Sequence, residues 1–138
     1  RGAMKIDGGC LCGRIKYEAE VDPEDVSVCH CTDCQTLSGS AFRVGVPIPE
    51  ENFSLLAGEP KTYVKTAESG GKRAQVFCSD CGSALYSTSV GDGPRILRLR
   101  VTGSNQRHEF TPTSQGWYRS AHKWLTDIGS IPAAQKQR

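Results

Sequence analysis

Hydrophobic and polar residues alternate over short runs of this chain, and turn residues separate the runs. Over 14–20, Ile15, Tyr17 and Ala19 share one side and Arg14, Lys16 and Glu18 the other, which is the period of a half-buried β-strand. Shorter runs at 26–29 and 41–47 predict further strands. Runs 53–56 and 62–66 flank Gly58-Glu59-Pro60 and predict a hairpin; runs 74–78 and 84–88 flank Ser79-Asp80-Cys81-Gly82 and predict a second. Over 95–101, Arg98 and Arg100 interrupt Ile96, Leu97, Leu99 and Val101, predicting a strand with one wet face. Helical signal is scarce. Residues 32–37 predict one turn, with Thr32 as N-cap and Asp33 favouring the helix start, while 120–128 fit no single element. Ser69-Gly70-Gly71 and Gly91-Asp92-Gly93-Pro94 predict loops, and no repeat of solenoid length is present. The class expected is a mostly β single domain of short antiparallel strands and hairpins.

Length agrees: 138 residues fit one domain with a modest core. Residues 4–130 are expected to form it, residues 1–3 to be a cloning remnant before Met4, and 131–138 to be a flexible tail. No stretch approaches the length and apolarity of a membrane-spanning helix. Many free-thiol candidates and no visible secretory segment lead to an expectation of a reducing cytoplasm. Charge is unevenly spread. Residues 1–94 carry nine Lys/Arg and thirteen Asp/Glu, and 95–138 carry eight and two. A basic C-terminal third suits an anionic small molecule or nucleic acid, or a solvated face. No uninterrupted basic block appears, so nucleic acid is not the expected partner.

Chemistry enters with seven cysteines in three clusters. Cys10 and Cys12 form a C-x-C pair, Cys78 and Cys81 a C-x-x-C pair, and Cys29, Cys31 and Cys34 a C-x-C-x-x-C triplet. Two pairs supply the four thiolates of a closed tetrahedral structural zinc, and a triplet supplies three, leaving one position open. Other groupings of four are compatible with the spacing. Disulfides fit poorly with an odd count, and burial as small hydrophobes does not explain the clustering. A reactive thiol cluster is the rival reading of the triplet. In extended chain, residues at i and i+2 share a face, so each C-x-C pair is expected to turn both sulfurs one way, with Cys34 returning from the first helical turn. If all seven are thiolates around two zinc ions, the formal charge moves from +2 to −1.

Other candidates are weaker. His30, between two ligands, is turned away from the metal and is expected to support it from behind or to lie at the surface. His108 and His122 have no motif around them and are expected at the surface. Trp117, Tyr118 and Trp124 beside Arg119 and Lys123 fit either a stacking platform for bases or core and rim aromatics.

Taken in order, Gly9-Cys10-x-Cys12-Gly13, Cys29-His30-Cys31-x-x-Cys34, Ser38-Gly39-Ser40-Ala41-Phe42 and Phe77-Cys78-x-x-Cys81-Gly82 resemble the glutathione-dependent formaldehyde-activating enzyme family, which includes centromere protein V-like chains. Arg119-Ser120-Ala121 and Trp124 resemble its C-terminal pattern, so the likeness spans about residues 5 to 130. Gln35-Thr36 replace basic residues frequent in that family, and Gln115 a frequent histidine. The resemblance implies a zinc-stabilised β-tent fold with Cys10, Cys12, Cys78 and Cys81 as structural ligands. It implies Cys29, Cys31 and Cys34 as ligands of the catalytic zinc, and glutathione as co-substrate. The implied reaction is condensation of formaldehyde with glutathione to S-hydroxymethylglutathione, a carbon–sulfur lyase reaction run toward bond formation. Arg43, Lys72, Arg73 and Arg119 are candidates for a glutathione-carboxylate clamp, each with the plain alternative of a surface cation. Against this reading stand a non-enzymatic zinc-stabilised module that binds protein or nucleic acid and a thiol redox protein.

Overall fold

The alternation that begins at Arg14 is realised as a strand, Lys16–Val21, which buries Tyr17, Ala19 and Val21 and exposes Lys16, Glu18 and Glu20. The computed structural model describes residues 3–137; of the segments expected to lie outside the domain, Arg1, Gly2 and Arg138 fall outside the described residues. In chain order the strands are β1 (Met4–Gly9), β2 (Lys16–Val21), β3 (Ser27–Cys29), β4 (Arg43–Pro49), β5 (Phe53–Ala57), β6 (Lys61–Thr66), β7 (Lys72–Phe77), β8 (Ala84–Ser89), β9 (Ile96–Leu99) and β10 (Ser114–Gly116). One α-helix, α1 (Thr32–Ser38), joins β3 to β4, and the segment from Val101 onward is built from short 3-10 turns and β10. The mostly β, single-domain class is therefore as expected.

Two sheets carry the strands. β1, β2 and β5 form a three-stranded sheet, and the other seven run in the order β10-β3-β4-β9-β8-β7-β6. Pairing is antiparallel except for β10, which lies parallel to β3. The core fills the angle between the sheets. Tyr17 and Phe53 of the small sheet stand 5.3 Å apart, and Phe53 meets Tyr86 of the large sheet edge-on at 5.2 Å. Ile48, Leu97 and Leu99 are almost fully buried on the large sheet's inner face, and each contributes about 1.5–3 kcal/mol by leaving water.

One hairpin forms as expected: β7 and β8 pair antiparallel, with the C-x-x-C at the tip. The other does not. β5 pairs with β2 and β6 with β7, so the runs flanking Gly58-Glu59-Pro60 lie in different sheets. At Gly58, φ is +87°, and a Cβ there would stand 2.6 Å from the Arg14 carbonyl oxygen, so the chain is pinned against the start of β2 as it leaves the small sheet. β6 instead takes its partner across the tight Ala67–Gly71 turn, where Ala67 N–H donates to Gly71 O at 2.7 Å.

The outer face of the large sheet is polar. Cross-strand register places Cys29 opposite Arg43, Ser87 opposite Arg98, Gln75 opposite Ser87, and Arg73 opposite Ser89. α1 is tied to β6 at its N-terminal turn, where Lys65 Nζ donates to Asp33 Oδ2 at 2.6 Å.

Candidate metal centres

Cys10 and Cys12 sit in the tight loop between β1 and β2, not in a strand. Gly13 N–H donates to Cys10 O at 3.1 Å and Cys10 N–H to Ile15 O at 3.2 Å, so a turn, not strand alternation, brings the two sulfurs together. Cys78 and Cys81 lie at the β7–β8 tip, where Gly82 N–H donates to Cys78 O at 2.8 Å and Cys78 N–H to Ser83 O at 3.0 Å. The four sulfurs lie within 4.8 Å of one another. Cys10 Sγ is 3.5 Å from Cys12 Sγ, which is 3.8 Å from Cys78 Sγ. Tetrahedral zinc with bonds of about 2.3 Å needs sulfurs about 3.8 Å apart, and the two distances from Cys12 Sγ are close to that spacing.

Donors already face these sulfurs. Ile15 N–H reaches Cys10 Sγ at 3.2 Å. Ser83 Oγ accepts from Leu11 N–H at 3.0 Å, which frees its hydroxyl hydrogen for Cys81 Sγ at 3.2 Å. That hydrogen bond, with backbone donors behind it, holds the Cys81 thiol down to about 5. Nothing in the sequence marks Ser83, which simply follows the C-x-x-C-G run.

The triplet is assembled by the β3–α1 junction. Cys29 ends β3, Cys31 is the N-cap of α1, and Cys34 lies in the first turn. Cys31 Sγ accepts from Cys34 N–H at 3.3 Å, so the cap is Cys31 and not Thr32. Sulfur takes the place an Oγ normally has at a helix start. The three sulfurs lie within 4.8 Å of one another, and among the described residues no fourth Cys, His, Asp or Glu completes the group. The hydrogen bond from Cys34 lowers the Cys29 thiol to about 5, with further help from Cys31 and the Arg100 charge, while the same bond raises Cys34.

His30 points away from the triplet and is buried, not at the surface. Its Nε2 donates to Gln115 Oε1 at 2.8 Å, and its ring meets Phe42 and Tyr118 edge-on. Gln35 Nε2 donates to the His30 carbonyl at 2.8 Å and to the Ser120 carbonyl at 3.2 Å. Gln35 and Gln115 thus tie the triplet loop to β10 and the C-terminal segment, work that a basic residue or a histidine is not needed for here.

The remaining candidates separate. Lys72 is exposed and bonds Thr66, and Arg119 is exposed, pairs with Glu68 at 3.4 Å and lies over the Trp117 ring. His108 and His122 are exposed, and His122 stacks on Trp124. Arg43 is buried, which corrects its reading as a surface cation: its guanidinium donates to Gln75 Oε1 at 2.7 Å. Arg73 is partly buried, 3.4 Å from Ser87 Oγ. Arg100, read from sequence only as part of a wet face, donates to the same hydroxyl at 3.0 Å.

Fold and site together define a two-sheet β domain with one four-thiol and one three-thiol cluster, each able to hold a metal ion. Residues 5–120 match the glutathione-dependent formaldehyde-activating enzyme family, and the chain belongs to that family. A Schizosaccharomyces pombe protein named as an uncharacterized lyase is 31% identical over 88 residues, covering 59% of this chain and 56% of its own. The chain thus spans little more than half of that relative. A crystal structure of a Rhodobacter sphaeroides protein shares the fold, with a TM-score of 0.58 at 17% identity over 79% of this chain and 98% of that one.

Proposed function

We propose that the chain is a zinc-dependent carbon–sulfur lyase-type enzyme acting on glutathione adducts of formaldehyde or a related small electrophile. The observation that carries this reading is the contrast between the clusters: four sulfurs converge at one site, and three at the other with no fourth Cys, His, Asp or Glu among the described residues. Cys10, Cys12, Cys78 and Cys81 would hold a structural zinc, and Cys29, Cys31 and Cys34 a zinc open to a co-substrate thiol. Zinc at the triplet supplies a Lewis acid that favours the thiolate, the nucleophilic form of a thiol, at neutral pH.

The protein's own part is to position. The α1 cap bond from Cys34 N–H orients Cys31 Sγ, and the Gln35 bonds fix the loop that carries Cys29 and His30. The Arg100 charge favours the thiolate form of Cys29. In the reaction, sulfur bonds to the carbonyl carbon and the thiol proton ends on the carbonyl oxygen, giving the hydroxymethyl thioether. The test mixes zinc-loaded protein, glutathione and formaldehyde and follows S-hydroxymethylglutathione by NMR exchange against a protein-free control, because the reactants also combine unaided. Exchange faster than the control supports the reading. An unchanged rate, with no glutathione binding by calorimetry, contradicts it.

A further inference from the structure

Four side-chain atoms among the described residues are buried without a hydrogen-bond partner: Tyr17 Oη, His30 Nδ1, Arg43 Nε and Arg100 Nε. Three of them belong to residues that line one cavity of about 930 Å³. Native interiors rarely leave such groups unpaired. The cavity runs from the β1–β2 loop past the end of β9 to the Ser38-Gly39-Ser40-Ala41-Phe42 run, which gives it Ser38, Ser40 and Phe42 as one wall.

Its charge is one-sided. Lys16, Arg43, Arg100 and Arg107 line it against a single carboxylate, Asp7, which Gln106 and Asn105 already hold through hydrogen bonds. Among the described residues no carboxylate pairs with Arg43, Arg73, Arg98 or Arg100. Arg43 is only 8% exposed, and a buried cation whose hydrogen bond goes to a neutral amide and not to a carboxylate is costly. Burial, and then the charge of Arg43, hold Arg100 down to about 10, against the pull of Cys34 and Cys29; it is still charged at neutral pH. A Cβ at Gly45 would stand 2.8 Å from an Arg100 guanidinium nitrogen, so glycine lets Arg100 lie flat across β4. Even with a divalent ion, three thiolates carry a charge of only about −1, which offsets one guanidinium and not two.

We infer that Arg43 and Arg100 form a carboxylate-binding subsite beside the triplet, one that anchors an acidic thiol substrate by a group remote from its sulfur. This inference rests on the thiol-adduct reading above and adds the anchor. A planar carboxylate matches the paired N–H groups of a guanidinium edge, and binding energy far from the reacting atom can serve orientation.

The experiment uses zinc-loaded protein and S-methylglutathione, whose capped sulfur removes the thiolate from the comparison. Calorimetry at fixed ionic strength compares this acid with its diester on the wild type, and on Arg43→Gln and Arg100→Gln variants whose zinc content and melting temperature match the wild type. The acid is expected to bind the wild type ten- to a hundredfold more tightly than the diester, and each variant to lose a similar factor for the acid alone. Equal binding of acid and diester, or no binding of either, overturns the subsite whether or not the variants fold. Inorganic phosphate that binds more tightly than the acid overturns the carboxylate assignment. A separate arm adds cysteamine, a thiol without a carboxylate, to cobalt-substituted protein and reads the sulfur-to-metal charge-transfer band. A cysteamine response with no acid preference sinks the subsite and leaves the thiol reading standing. No cysteamine response sinks the thiol reading itself.

Discussion

Cys29 of β3 and Arg43 of β4 stand directly opposite each other across an antiparallel pair. Side chains so placed share a face with Cβ atoms about 4.5–5.5 Å apart, so the strand end that carries a thiol is built against a buried guanidinium. Arg100, on the neighbouring β9 side, adds a second positive charge felt by Cys29 and Cys34. The outer face of the large sheet is thus a cationic floor for the triplet, and α1 closes over its edge.

Replacing Cys78, the most buried of the seven cysteines, is expected to abolish folding. Structural zinc contributes about 10–16 kcal/mol in small zinc domains, which matches or exceeds the net stability of a domain this size, about 5–15 kcal/mol. Cys78→Ser should therefore be insoluble or lack a cooperative melt. A soluble variant with unchanged metal content and a sharp melt would count against a structural role for this cluster.

Cys31→Ser separates two duties of one residue. Serine is a good N-cap, so α1 should persist while the triplet loses a ligand. The variant is expected to fold, melt close to the wild type and hold one metal fewer by elemental analysis. Cys31→Ala loses the cap as well and should be less stable than Cys31→Ser by about 0.5–2 kcal/mol. Unfolding of Cys31→Ser to the extent seen for Cys78→Ser would remove the division between the clusters.

Gln115→Leu should leave His30 Nε2 buried without its acceptor, since the 2.8 Å bond to Gln115 Oε1 is its pairing in the structure. The cost of such an orphan is about 1–3 kcal/mol, readable in urea unfolding. A destabilisation below a few tenths of a kcal/mol would show that water or a rearranged partner satisfies the ring.

The Glu50–Arg95 pair predicts a pH effect. Arg95 donates to both carboxylate oxygens, at 3.0 and 2.5 Å, and these bonds lower the Glu50 carboxyl below its ordinary value. The pair's stabilisation is present above the ordinary carboxylate range and is lost as pH falls through the lowered value. Both groups are partly exposed, so Glu50→Gln should cost no more than about 1 kcal/mol at neutral pH. Thermal melts of variant and wild type should converge in acid; a constant gap from pH 7 to pH 3 would contradict the assignment.

The sequence by itself determined the strands that alternate, the two-sheet domain's mostly β class and the three cysteine clusters, because period and spacing are local properties. Tyr17 and Ala19 sit on the buried face their period requires and Arg98 on the exposed one, whereas Arg100, expected on a wet face, is partly buried. Tertiary structure decided which strands pair: Gly58-Glu59-Pro60 looks like a hairpin turn, yet it carries the chain from one sheet to the other, because β5 is taken by β2, with Gly58 packed against Arg14, and β6 pairs with β7. It also decided that Cys31 caps α1, that a turn and not a strand gathers Cys10 and Cys12, and that Arg43 is buried. Arg43 and Arg100 are 57 positions apart in sequence, and only the β3-β4-β9 order brings them to one face beside Cys29. No local pattern encodes that meeting; it follows from strand order, which the whole core selects.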